Sequence, residues 1–205
     1  MSAWSVLACT RADVATILPL RDAHATGALA NPLLTEASGV AQSTRAENVF
    51  WSQNDSGNDP LLFAYDSTGA SLGVVRVNGA QNRDWEAIAI GPCATGSCLY
   101  IGDVGDNSAR RDEVTVYRIP EPMPTDTISA PAVALHLRYV DGPHDVESMI
   151  VTADTSIVLF SKRPMTDRDG RERMALVYRV SQSAWLIDQT ALGALVLYPN
   201  CPVAL

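Results

Sequence analysis

A short pattern that returns three times constrains this chain more than any other feature. Each return opens with a glutamate followed by a run of apolar residues, and the openings fall 50 and 61 residues apart. They read Thr35-Glu36-Ala37-Ser38-Gly39-Val40-Ala41, Trp85-Glu86-Ala87-Ile88-Ala89-Ile90 and Val146-Glu147-Ser148-Met149-Ile150-Val151. A second β-rich run begins 11 to 13 residues after each glutamate, at Val49-Phe50-Trp51, Leu99-Tyr100-Ile101 and Val158-Leu159-Phe160. The third runs, Leu62–Tyr65, Val114–Arg118 and Leu176–Arg179, each carry a tyrosine. The fourth are Leu72–Val77, Val133–Tyr139 and Leu192–Leu197.

Short apolar runs joined by Gly, Pro, Asn and Asp turns, without a sustained 3.6-residue period, are strands and not helices. Four strands in each repeat of this length predict an all-β chain, a β-propeller with about three four-stranded blades. The blades fall at about 36–84, 85–145 and 146–205, with a leading strand at about 14–20 and the propeller domain at 13–205. A sandwich of about 12 strands is the alternative, but it gives no reason for glutamate, tyrosine and strand order to recur in step. Propellers close with roughly four to eight blades. Three blades therefore imply either a piece of a longer ring or assembly, and a two-fold homodimer would complete a six-bladed ring.

Apolar residues make up 47% of the chain and charged residues 19%, which suits a packed core rather than disorder. No apolar run has the length of a membrane helix. With 15 Lys and Arg against 23 Asp and Glu the net charge is −8, which disfavours nucleic acid as a partner and suits a small molecule or a cation. An acidic surface that serves solubility is the plainer reading of that charge. Cys93 and Cys98 bracket an Ala-Thr-Gly-Ser turn, so they either clip a hairpin or stay as free thiols. Residues 1–12, with Val6-Leu7-Ala8-Cys9, read as a signal remnant and an exported protein, or as a frayed terminus with one apolar cysteine.

In a propeller the first strand of each blade lines the channel, which brings Glu36, Glu86 and Glu147 together. Facing carboxylates are stabilised by a cation or by raised pKa values, and a hard ion such as calcium takes six to eight oxygen ligands. Zinc or manganese remains open, although three histidines with no i, i+4 pair make a poor nitrogen site. The structural alternative has the glutamates capping strand edges or pairing with arginines. The loops after the second strands add oxygen-rich candidates: Asn54 and Asp55 in the first, Asp106 and Asn107 in the second. Asx-Gly clusters of this kind also occur simply as turns. The third repeat places Ser161-Lys162-Arg163 there, a cation suited to an anionic group or a developing negative charge. His144 precedes Asp145, which matches Asp84. With Glu86 these form the candidate catalytic set, His144 or a carboxylate acting as the base that activates water, although a loop histidine explains His144 equally. No G-x-S-x-G elbow is present, and Ser38 has no evident His and Asp partners.

The segments Leu34–Gly39, Phe50–Gly57, Asp84–Ile90, Tyr100–Asn107, Val116–Pro122 and Asp141–Glu147 together resemble bacterial exported phytase-like and esterase-like propellers, over about residues 30–200. More distantly the acidic channel is similar to that of calcium-dependent six-bladed hydrolases, the paraoxonase, gluconolactonase and diisopropylfluorophosphatase group. That resemblance implies a channel calcium holding a carbonyl or phosphoryl oxygen, with Glu36, Asn54, Glu86, Asn107 and Glu147 as ligands. The expected activity is metal-dependent hydrolysis of phosphotriesters, other phosphoesters, esters or lactones, with broad specificity. The rival expectation is a secreted or surface propeller that binds a protein or glycan around a structural calcium.

Overall fold

The twelve apolar runs form twelve strands in a computed structural model that describes residues 25–162, 175–181, 183 and the backbone of 193–197. In order they are β1 (Ala41–Gln42), β2 (Phe50–Gln53), β3 (Leu61–Tyr65), β4 (Ser71–Arg76), β5 (Trp85–Pro92), β6 (Ser97–Asp103), β7 (Val114–Pro120), β8 (Val133–Tyr139), β9 (Val146–Val151), β10 (Ile157–Ser161), β11 (Val177–Val180) and β12 (Gly193–Leu197). No helix occurs among the described residues. The expected leading strand, residues 1–12, Cys9, Cys201 and Arg163 lie outside the described residues.

Consecutive strands pair antiparallel, as short polar turns require. β1 to β4 form one sheet, β5 to β8 a second and β9 to β11 a third. β12 adds to β11 antiparallel and also runs parallel to β8, so it joins the outer edges of the second and third sheets. This link departs from separate four-stranded blades. Its physical consequence is that the outer edge of β8 gains a backbone partner where an isolated unit would leave its N–H and C=O groups unpaired. The sheets make no closed ring among the described residues.

Alternation along β6 and β7 explains the stacking. Leu99, Ile101, Tyr117 and Ile119 point to the first sheet, where they pack with Trp51, Leu62, Val75 and Trp85. Tyr100, Val114 and Val116 point to the third, where they meet Met149, Leu159 and Tyr178. The middle sheet is therefore covered on both faces, and its strands read as nearly continuous apolar runs. A disulfide between Cys93 and Cys98 closes the β5–β6 hairpin.

The recurring tyrosines take three different roles. Tyr65 stacks on Phe50, Tyr117 tilts against Trp85, and Tyr178 is fully buried with its hydroxyl donating to Asp141.

Candidate metal centre

Each first strand meets its second through one closing pair: Ala37 with Asn54, Trp85 with Asp103 and Val146 with Ser161. The side chains opposite confirm the match in the first two sheets. Asn54 Oδ1 accepts the Thr35 and Glu36 N–H groups, and the Asp103 carboxylate accepts those of Arg83 and Asp84. Backbone bonds to the Glu36, Asp84 and Asp145 carbonyls then follow from Asp55, Gly105 and Lys162. The repeat thus aligns Glu36 with Asp84 and Asp145, and Ser38 with Glu86 and Glu147. This corrects the expectation that Glu36 matches Glu86 and Glu147, by two residues.

In β5 the pairing jumps from Trp85 to Ala87, and at the start of β9 it jumps from Val146 to Ser148. Glu86 and Glu147 are the extra residues of two β-bulges, a device that re-aims a side chain out of the ladder.

Glu86, buried, points its carboxylate to the first sheet, where the Ser38 hydroxyl donates to Oε2 at 2.7 Å. Asp84 and Asp55 converge beside it, and the three residues place one oxygen each within 4.8 Å of one another. Asn82 fixes the Asp55 loop by donating to the Asn54 and Asp55 carbonyls, at 3.1 and 2.7 Å, while its Oδ1 accepts the Trp85 N–H. Gly105 closes the other side. A Cβ added there would lie 2.5 Å from Asp84 Cγ and 2.8 Å from Glu86 Cγ, so the loop reaches the carboxylates only with glycine. Arg111, buried, holds that loop through Nη1, which contacts Asp103 Oδ1 and the Gly105 carbonyl, both at 2.8 Å.

Crowded carboxylates resist ionisation. Burial pushes Glu86 up to about 7, reinforced by Glu147, Asp55 and Asp84 and opposed by the Ser38 hydrogen bond. Asp84 is raised for the same first reason, with Asp55 adding and Arg111 opposing. Lys162 offers a positive charge at the edge. Its half-exposed Nζ lies 2.6 Å from Glu147 and 3.6 Å from Asp145, and the Glu147 hydrogen bond raises its pKa.

Of the expected ligands, Asp55 and Glu86 come together, with Glu147 close enough to act electrostatically on Glu86. Glu36 is exposed and accepts a hydrogen bond from Asn58. Asn54 spends its amide on the backbone, with Nδ2 donating to the Leu33 carbonyl. Asp106 accepts the Arg110 and Arg111 N–H groups in a turn, and Asn107 is exposed. Of the expected catalytic set, Asp145 accepts the Asp106 N–H. The His144 ring is packed between Tyr139 and Tyr178, its Nε2 3.1 Å from Asp141 Oδ1 without hydrogen-bond alignment. Asp84, Ser38, Gly105 and Arg111 are the additions. The doubled Asp-x-Glu at 84–86 and 145–147 was the signal in the sequence for Asp84.

No protein-family model matches this chain, and no curated protein matches it.

Proposed function

We propose that Asp55, Asp84 and Glu86 hold a divalent cation, calcium in the first instance, and that the chain is a metal-dependent hydrolase of phosphotriesters, other phosphoesters, esters or lactones. The observation that carries this is the convergence of three carboxylate oxygens within 4.8 Å around a buried Glu86. An all-oxygen donor set suits a hard ion, and the raised Glu86 is what a carboxylate lacking its counter-charge displays. When bound, the cation supplies a Lewis acid for the reacting carbonyl or phosphoryl oxygen. Ser38 holds the orientation of Glu86. With the cation in place Glu86 would be held ionised, the form that can take a proton from water. Lys162 sets a positive charge where negative charge develops on the substrate.

The larger frame of this reading is a β-propeller of four-stranded blades whose first strands line a channel, completed by a second copy of the chain. Apolar Val40 and Ile150 stand exposed beside β1 and on β9, where a further sheet would cover them. The disulfide supports an exported protein.

One observation favours a second reading, a non-catalytic binding module with a structural ion: the Ser38–Glu86 hydrogen bond already ties the first sheet to the second at this point. The experiment that separates the two is hydrolysis of a phosphotriester, a phosphodiester, a carboxylic ester and a lactone, with chelator and with calcium, zinc or manganese restored. Turnover that chelator abolishes and a metal restores supports the hydrolase. Folded protein that gains thermal stability from calcium but turns over no member of the panel is the binding module.

A further inference from the structure

At the far end of β5 from Glu86, roughly 20 Å along the strand, the three sheets line an open cavity of about 890 Å³. The first sheet supplies Thr44 and Arg45, the second Ile90–Pro92 with Thr95 and Ser97, and the third Val151 and Thr152. This volume lies within the range that small-molecule sites occupy.

One buried carboxylate organises the walls. Glu121, 3% exposed, accepts hydrogen bonds from Ser43 and Trp51 on Oε1 and from Ser97 on Oε2. The Ser43 hydroxyl oxygen also accepts the N–H groups of Arg45 and Ala46, which fixes the turn that carries the arginine. The Arg45 guanidinium donates from Nη1 to the Glu121 carbonyl at 2.8 Å. A guanidinium carries five N–H donors, so one bond leaves most of the fork for a guest. The disulfide stiffens the wall that presents Thr95 and Ser97.

We propose that this cavity binds a small hydroxylated carboxylate. Arg45 matches a carboxylate by its planar fork. Glu121 lines the same cavity, and a carboxylate in the wall favours a monoanion over a doubly charged phosphate ester. Thr44 and Thr95 offer hydroxyls that both donate and accept, the complement of a polyol chain.

The test is calorimetric titration of the chelator-treated protein with sodium gluconate, with glucose as the uncharged analogue. Saturable gluconate binding is expected, weakened about tenfold or more in Arg45→Gln, since a hydrogen bond to a charged group is worth at least that factor. Arg45 is exposed, so its replacement leaves the fold intact, which a melting curve checks. The affinity is expected to be unchanged in Asp84→Asn, which separates this cavity from the carboxylate cluster. Absence of saturable binding up to about 10 mM, equal affinity in Arg45→Gln, or equal binding of glucose would each overturn the assignment.

Discussion

Glu86 is buried, carries neighbours of its own charge, and has one hydrogen-bond donor where two or three would be needed to settle it as an anion. Its raised pKa means that between about 4.5 and about 7 the folded chain holds a proton that the unfolded chain has lost. Stability of the metal-free protein therefore falls as pH rises through that window. Thermal melts at pH 5 and pH 8 check this, and saturating calcium is expected to raise the melting temperature most at the higher pH. Glu86→Gln removes the repulsion along with the candidate base. Its metal-free melting temperature is expected to fall less across the same window, the raised Asp84 remaining, while turnover drops at least about hundredfold. A variant that keeps full turnover would remove Glu86 from the chemistry. Gly105→Ala makes the steric case. Its methyl group meets the Asp84 carboxylate at 2.5 Å, so calcium affinity measured by titration should fall, at an overpacking cost of about 1–3 kcal/mol.

Among the elements, the strands were legible because each is a short apolar run bounded by turn residues, and Val133–Tyr139 and Val146–Val151 were delimited to the residue. The carboxylate alignment was not. Glutamate before an apolar run pairs Glu36 with Glu86 by residue type, whereas the ladder aligns Glu36 with Asp84 and Ser38 with Glu86, and backbone pairing leaves no mark on residue type. Asn54 looked like an oxygen ligand because its type is right. Only the paths of the Thr35, Glu36 and Leu33 backbone groups show that its amide is spent. The β5–β6 hairpin offers a prediction of its own. The Cys93–Cys98 bond closes a very short loop, so replacing both cysteines with serine should cost about 2 kcal/mol in urea unfolding, the loop-entropy value for so few residues. A loss near zero would mean that the ladder alone holds the turn.

For the whole molecule, the repeat in the sequence announced three similar units, and the structure stacks them with two separate apolar cores on either side of the middle sheet. The parallel contact between β12 and β8 had no trace in the sequence, because pairing between distant edges depends on how the sheets lie and not on either strand's pattern. If a second copy completes a ring, light scattering at micromolar concentration should return twice the 22.0 kDa chain mass. Substituting Ile150 by aspartate on the open side would then return a monomer; a single-chain mass for the unaltered protein would end the dimer reading.

The two bulges also bear on how such a protein can change over generations. A bulge residue has no partner opposite it in the ladder, so exchanging its side chain leaves the sheet's register alone. Serine already stands at position 38, where the other two sheets carry Glu86 and Glu147. Each sheet therefore offers one position at which new reactivity can be tried by a single substitution, while the scaffold that presents it is inherited unaltered.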